Sequence, residues 1–182
     1  IGTASIMLDA GIIVGAIVAV NSYGSPVDPG TGLPYAAYLE IADEFGLAEV
    51  EPLPAQPNKP VSRPLQHTTI GMVATNGRLT KAQANKVAQM AQDGIARAIR
   101  PAHTMFDGDT IFVLATGEID LPSSGGSPFG GGEGITVTKI GSAASDVVAR
   151  AIVHALLAAE SAFGFPSYRE RYLKGKAEPG RR

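Results

Sequence analysis

The chain has 182 residues, 45% of them apolar and 18% charged, with 15 basic residues against 17 acidic and a net charge of -2. This is one domain's worth of sequence with material for a real apolar core, and it lacks the concentrated Lys and Arg of a phosphate-binding surface, so nucleic acid is not an expected partner. The absence of cysteine removes disulfides, thiolate catalysis and thiolate-held zinc, and the histidines at 67, 103 and 154 have no metal-ligand spacing, so neither metal nor cofactor is expected.

Residues 3–8 (TASIML) and 12–20 (IIVGAIVAV) read as two strands joined by a tight turn at Asp9-Ala10-Gly11. The second run is apolar on both faces, as in a central strand covered from both sides. It is too short to cross a bilayer as a helix and no basic segment precedes it, so a cytoplasmic protein without a membrane partner is expected. The chain opens on Ile1, not Met, and runs at once into a strand pattern. The expectation is therefore a portion of a larger protein, with part of any active site upstream.

The strand ends at Asn21-Ser22-Tyr23-Gly24, and a turn-rich loop leads to Pro34. Residues 34–46 are expected to form a short helix, with Pro in its first turn and Gly after its last. Residues 48–67 carry prolines at 52, 54, 57, 60 and 64 and are expected to be a linker. A strand is predicted over 69–75, a turn at Asn76-Gly77, and a helix over 81–99 opened by a Thr80/Gln83 capping box. Residues 110–116 form a further strand, preceded by Asp107-Gly108-Asp109. A Gly- and Ser-rich loop spans 122–134, and an Ala-rich amphipathic helix is predicted over 142–162. Residues 164–182 are polar and basic and are expected to be a solvated tail. The order strand, strand, helix, linker, strand, helix, strand, helix gives one layered α/β domain over residues 1–182, with a mixed sheet.

The sequence holds few routes to a nucleophile. No G-x-S-x-G elbow is present, and the Gly-rich loop has neither a P-loop ending nor a dinucleotide fingerprint. One route remains: a threonine exposed at a new N-terminus uses its own α-amine as general base. An ordinary α-amine has a pKa near 8, so roughly a tenth to a third is neutral at physiological pH. Such chemistry needs a cut in a loop that leads straight into a rigid strand. Pro64-Leu65-Gln66-His67 running into Thr68-Thr69-Ile70 provides that arrangement, although a threonine at a strand start is also an ordinary structural residue.

Residues 67–122 (HTTIGMVATNGRLTKAQANKVAQMAQDGIARAIRPAHTMFDGDTIFVLATGEIDLP) resemble the start of the catalytic chain of the P1 peptidase family. That family contains the DmpA-type aminopeptidases and the endo-type 6-aminohexanoate-oligomer hydrolases. The upstream GTASIMLDAGIIVGAIVAVNSYG and DPGTGLPY resemble it too, so the likeness is clear over residues 1 to about 120 and loose over 142–162. It implies a layered αββα-type sandwich of the DmpA and ornithine acetyltransferase kind, of which this chain is a part.

By that resemblance, Thr68 is the nucleophile, exposed by self-cleavage of the 67–68 bond. His67 stands where many members carry Asn. Asn21 is implied as the oxyanion-stabilising amide. Asp107 and Asp109 are implied as the acidic pair beside the nucleophile, holding its α-ammonium, tuning it or positioning Thr68. The expected activity is hydrolysis of amide bonds in short peptides, of aminopeptidase type. Cleavage of linear 6-aminohexanoate oligomers, acyl transfer like that of the ornithine acetyltransferases, and an inactive scaffold are the alternatives. The implied partners are a small peptide or amide substrate, the upstream region of the same protein, and further copies in an oligomer of cleaved heterodimers.

Overall fold

A computed structural model describes residues 1–47, 67–122 and 132–173. Most of the expected linker (48–66), most of the Gly/Ser-rich loop (123–131) and the end of the basic tail (174–182) lie outside the described residues.

Four strands form one mixed sheet in the order β1 (Gly2–Met7), β2 (Ile13–Asn21), β3 (Thr68–Gly77), β4 (Thr110–Ile119). β1 and β2 form an antiparallel hairpin whose connection is a 3-10 turn at Asp9–Gly11, with Ala10 and Gly11 both left-handed. β3 runs antiparallel to β2 and parallel to β4. The parallel pair needs a crossover, which α1 (Lys81–Ala98) supplies. The Thr80/Gln83 capping box forms as expected, with each side chain bonded to the other's backbone N–H.

Both long helices, α1 and α2 (Glu133–Ala158), pack on the same face of the sheet. Val14, Val18 and Val73 from the strands meet Val87 and Ile95 from α1 and Val148 from α2, all of them fully buried. Each such side chain contributes about 1.5–3 kcal/mol by leaving water. The two helices cross closely at Gly94, where any Cβ would lie 2.4 Å from the Ser145 carbonyl oxygen. α2 is long and apolar enough by composition to cross a membrane, but most of it is buried inside this core.

The other face of the sheet is bare among the described residues. β2 is apolar on both faces, as expected for a doubly covered strand, yet Ile13 and Ile17 are exposed. The described residues thus form one sheet with one helical layer on one of its faces.

Four expectations about elements are corrected, and the first is the turn at Asn76-Gly77, which lies inside β3, where Gly77 still pairs with Ile119 of β4. The helix expected over 34–46 is a single 3-10 turn, Ala37–Leu39. Ala42 and Asp43 take left-handed φ values of 51 and 58, which no right-handed helix accommodates. The Glu40 carboxylate also accepts from the Phe45 and Gly46 N–H groups, replacing helical bonds with a side-chain turn. α2 begins at Glu133 instead of 142 and ends at Ala158 instead of 162. Val137 and Ile140 continue its buried stripe upstream, and Gly141 fits beneath Met90. Within the expected solvated tail, Tyr168–Tyr172 form a short helix, α3. Its Tyr168 is buried and donates its hydroxyl to the Gly32 carbonyl.

The loop that replaces the expected helix is tied down by charge. The buried Arg150 of α2 donates through Nε and Nη2 to the two oxygens of Glu44, at 2.7 and 2.8 Å, and through Nη1 to the Ser5 carbonyl of β1 at 2.9 Å. His154 meets the same carboxylate at 3.0 Å. The Arg150 hydrogen bonds, with help from His154, bring the Glu44 pKa down to about 2 against a smaller opposing effect of burial.

Candidate active site

Strand direction assembles the site. Because β2 is antiparallel to β3 and β4 parallel to it, the end of β2 and the starts of β3 and β4 meet at one edge of the sheet. Asn21 is the last residue of β2 and Thr68 the first of β3, and the two are directly paired. Side chains of such a pair lie on the same face with Cβ atoms about 4.5–5.5 Å apart. They share the bare face with Ile70, Met72 and Phe112, whereas Thr69 points to the helices and is buried. The Thr69 hydroxyl has no hydrogen-bond partner among the described residues.

The backbone around Thr68 converges on one carbonyl. In the uncut chain the Thr68 hydroxyl donates to the His67 carbonyl oxygen at 2.5 Å. The Gly108 N–H donates to the same oxygen at 2.9 Å, extending the parallel ladder through the His67 and Asp107 bridge. The carbonyl of the 67–68 bond therefore carries two donors. A Cβ on residue 108 would lie 3.0 Å from the Thr68 Oγ1, so a glycine here keeps the hydroxyl uncrowded.

The two aspartates flank this centre through the neighbours of Thr68. Asp109 accepts from the Thr69 N–H at 2.8 Å with Oδ1 and meets His103 Nδ1 at 2.8 Å with Oδ2. Asp107 accepts from the Tyr23 N–H at 3.0 Å, the Thr104 N–H at 3.0 Å and the Thr104 hydroxyl at 2.6 Å. Burial pushes the Asp107 carboxyl up. The hydrogen bonds from Thr104 and Tyr23, with the His67 charge, outweigh that and hold it below the usual carboxylate range. Neither carboxylate touches the Thr68 hydroxyl directly in the bonds described: one steadies the residue after it, the other the loop beside His67.

Three residues of this neighbourhood were not singled out by sequence. The Tyr23 ring meets the His67 ring edge-on at 5.4 Å and lies 5.3 Å from the Phe106 ring, placing two exposed aromatics beside the 67–68 bond. His103 pairs with Asp109. No periodicity marks these positions; a Tyr two residues after Asn21 and a His before Asp-Gly-Asp carry no signal until the edge is assembled. Among the described residues no group of three His, Asp or Glu side chains is arranged to hold a metal.

A model of peptidase family S58 matches residues 1–169. The chain is 46% identical over 171 residues to an uncharacterized aminopeptidase of Mycobacterium leprae, covering 92% of this chain and 47% of that protein. It is 38% identical over 89 residues to a 6-aminohexanoate-oligomer endohydrolase of Paenarthrobacter ureafaciens, covering 49% of this chain and 25% of that protein. Among solved structures, a Burkholderia sp. beta-aminopeptidase superposes with a TM-score of 0.53 at 28% identity, covering 85% of this chain and 40% of its own. The chain spans about half the length of the curated aminopeptidases it matches.

Proposed function

The chain belongs to peptidase family S58, and from that premise we propose that it is the catalytic portion of an amide-bond hydrolase that generates its own N-terminal nucleophile at Thr68. One observation carries the reading: the Thr68 hydroxyl rests against the carbonyl of the preceding peptide bond, whose oxygen also accepts from the Gly108 N–H. The hydroxyl thus lies at the bond it would attack, with one oxyanion donor already in place.

In the first reaction the Thr68 Oγ1 adds to the His67 carbonyl carbon and the oxygen takes up negative charge facing Gly108. Collapse breaks the C–N bond, the Thr68 nitrogen gains the proton that left the hydroxyl, and His67 is left as an ester on the threonine. Water hydrolyses the ester, giving a His67 carboxylate and a Thr68 with a free amine and a free hydroxyl. In the second reaction that amine takes the hydroxyl proton as Oγ1 attacks a substrate amide. The leaving amine departs with the proton, and water releases the acid from the acyl-threonine. Asn21, paired with Thr68 across the ladder, donates its amide to the substrate oxyanion. Asp107 and Asp109 hold the Tyr23 loop and Thr69 in register on either side of the new ammonium.

The substrate class supported best is the short peptide cleaved at its amino end, in line with the aminopeptidase names of the relatives matched over most of the chain. Linear 6-aminohexanoate oligomers are the second reading, favoured by the endohydrolase matched over half of it. The apolar side chains on the bare face, Ile17, Ile70, Met72 and Phe112 among them, are buried by the remainder of the longer protein in this proposal.

The test is the intact mass of the full-length protein under denaturing conditions, beside Thr68→Ala. The expected result is two fragments in the parent, the second beginning at Thr68, and one uncut chain in the variant. Release of primary amine from short peptides and from 6-aminohexanoate oligomers then separates the two substrate classes. A parent that remains a single chain removes the free amine on which the second reaction depends, and the reading with it.

A further inference from the structure

We infer that His103 is a positioning residue for the Thr68 nucleophile, acting through Asp109; the inference rests on the self-cleaving hydrolase reading above. His103 lies in the loop between α1 and the Asp-Gly-Asp turn, with a φ of 53. Asparagine, aspartate and histidine are the side chains most often found in this left-handed region, so the conformation fits the residue, and it sets the ring against Asp109.

The ring's partner is the Asp109 carboxylate, whose side chain is only 5% exposed while that of His103 is 41% exposed. A carboxylate removed from water needs donors on both oxygens. Thr69 N–H supplies one at 2.8 Å, and His103 Nδ1 supplies the other at 2.8 Å. With the carboxylate accepting, Nδ1 carries the hydrogen. The chain of contacts runs from His103 to Asp109, from Asp109 to the backbone of Thr69, and so to the strand start where Thr68 faces the His67 carbonyl. Without the imidazole, one oxygen of a buried carboxylate loses its partner. Asp109 then turns toward water, and the Thr69 N–H and the strand start lose their anchor.

A purely structural reading makes His103 a corner residue whose backbone matters and whose ring does not. Substitutions that accept a left-handed φ separate the two. His103→Gly removes the ring and relaxes the backbone. His103→Asn also tolerates the conformation and keeps a side-chain N–H donor for Asp109. The measurements, on the full-length protein, are the rate of cleavage at the 67–68 bond from synthesis onward, followed by intact mass, and then kcat and KM on a short peptide amide.

The expected result is that His103→Gly slows cleavage and kcat by roughly 10- to 100-fold with KM little changed, while His103→Asn stays within about 3-fold of the parent, as for loss and rescue of an interaction that aligns the reacting group. If the glycine variant does not fold, His103→Asp replaces it: it accepts the same φ but sets a carboxylate against Asp109, and it must be slower than His103→Asn. Parental rates in His103→Gly, or in His103→Asp, overturn the inference and leave the hydrolase reading standing. So does an asparagine variant as slow as the glycine one. A parent that is neither cut nor active overturns the hydrolase reading and this inference together.

Discussion

The two faces of one sheet divide the work of this molecule. Along β3, Thr69, Gly71, Val73 and Thr75 are buried under the helices, while Thr68, Ile70 and Met72 alternate with them on the bare side. The covered face packs alternate residues of the strands beneath two helices and holds little chemistry, whereas the bare face has the candidate nucleophile, its paired amide and a row of exposed apolar side chains. The difference teaches that stability and reactivity are separable here. A strand's period of two lets one segment hold the core with one set of residues and present a reacting group with the other.

If that division is right, damage to the covered side should lower stability without a change in chemistry. The largest such effect is expected from Arg150→Ala, which leaves the Glu44 carboxylate without its main partner and uncaps the Ser5 carbonyl. Removing one member of a buried pair costs about 3–5 kcal/mol, and the low end applies because the Glu44 side chain is 21% exposed. Urea unfolding checks it. The same contact predicts an acid limb. The folded pKa of Glu44, about 2, is depressed from 4.5, so its contribution is complete above about pH 4.5 and is lost as pH falls toward 2. An Arg150→Ala protein should show a shallower decline over that window than the parent.

Damage to the bare side should do the reverse. Asn21→Ala is expected to cut turnover roughly a hundredfold, the scale of one lost oxyanion donor or about 2.7 kcal/mol of barrier, with an unchanged urea midpoint. Equal turnover in variant and parent removes Asn21 from the mechanism.

A pair of neighbouring substitutions sharpens the comparison further. Val73→Ala, on the covered face, should cost about 2 kcal/mol for two methyl groups lost from a filled core. Met72→Ser, one residue away on the bare face, should cost a similar amount in the full-length protein if the rest of that protein covers the sheet. A change within about 0.5 kcal/mol, the usual surface value, means that the face meets water. The smallest effect is at the edge of the covered side: Thr80→Ala should lower stability by about 1 kcal/mol through loss of the α1 cap, with self-cleavage untouched.

Much of the fold was legible because its signals are local. The short continuous apolar run over 12–20 gave β2, and Thr80 with Gln83 gave the start of α1. The helix expected over 34–46 failed because its polar residues had better offers elsewhere. Glu40 folds back on Phe45 and Gly46, and Glu44 reaches Arg150 on α2, a partner 106 positions away. The early start of α2 was missed because Gly134 read as the end of the Gly-rich loop, and Gly141 is what lets Met90 pack against the helix.

Legible from the sequence were the four strands and two long helices, the family likeness, and the residue types of a candidate site: a threonine at a strand start, an asparagine at a strand end and an Asp-Gly-Asp turn. Only the tertiary structure decided which of them meet and how. Pairing of Asn21 with Thr68 follows from the direction and register of β2 against β3, and the approach of Gly108 to the His67 carbonyl from those of β4. The hold of Asp107 on Tyr23 spans 84 positions. Strand direction and register are fixed by which faces can be buried beneath α1 and α2 together, a global condition that no local run of residues encodes.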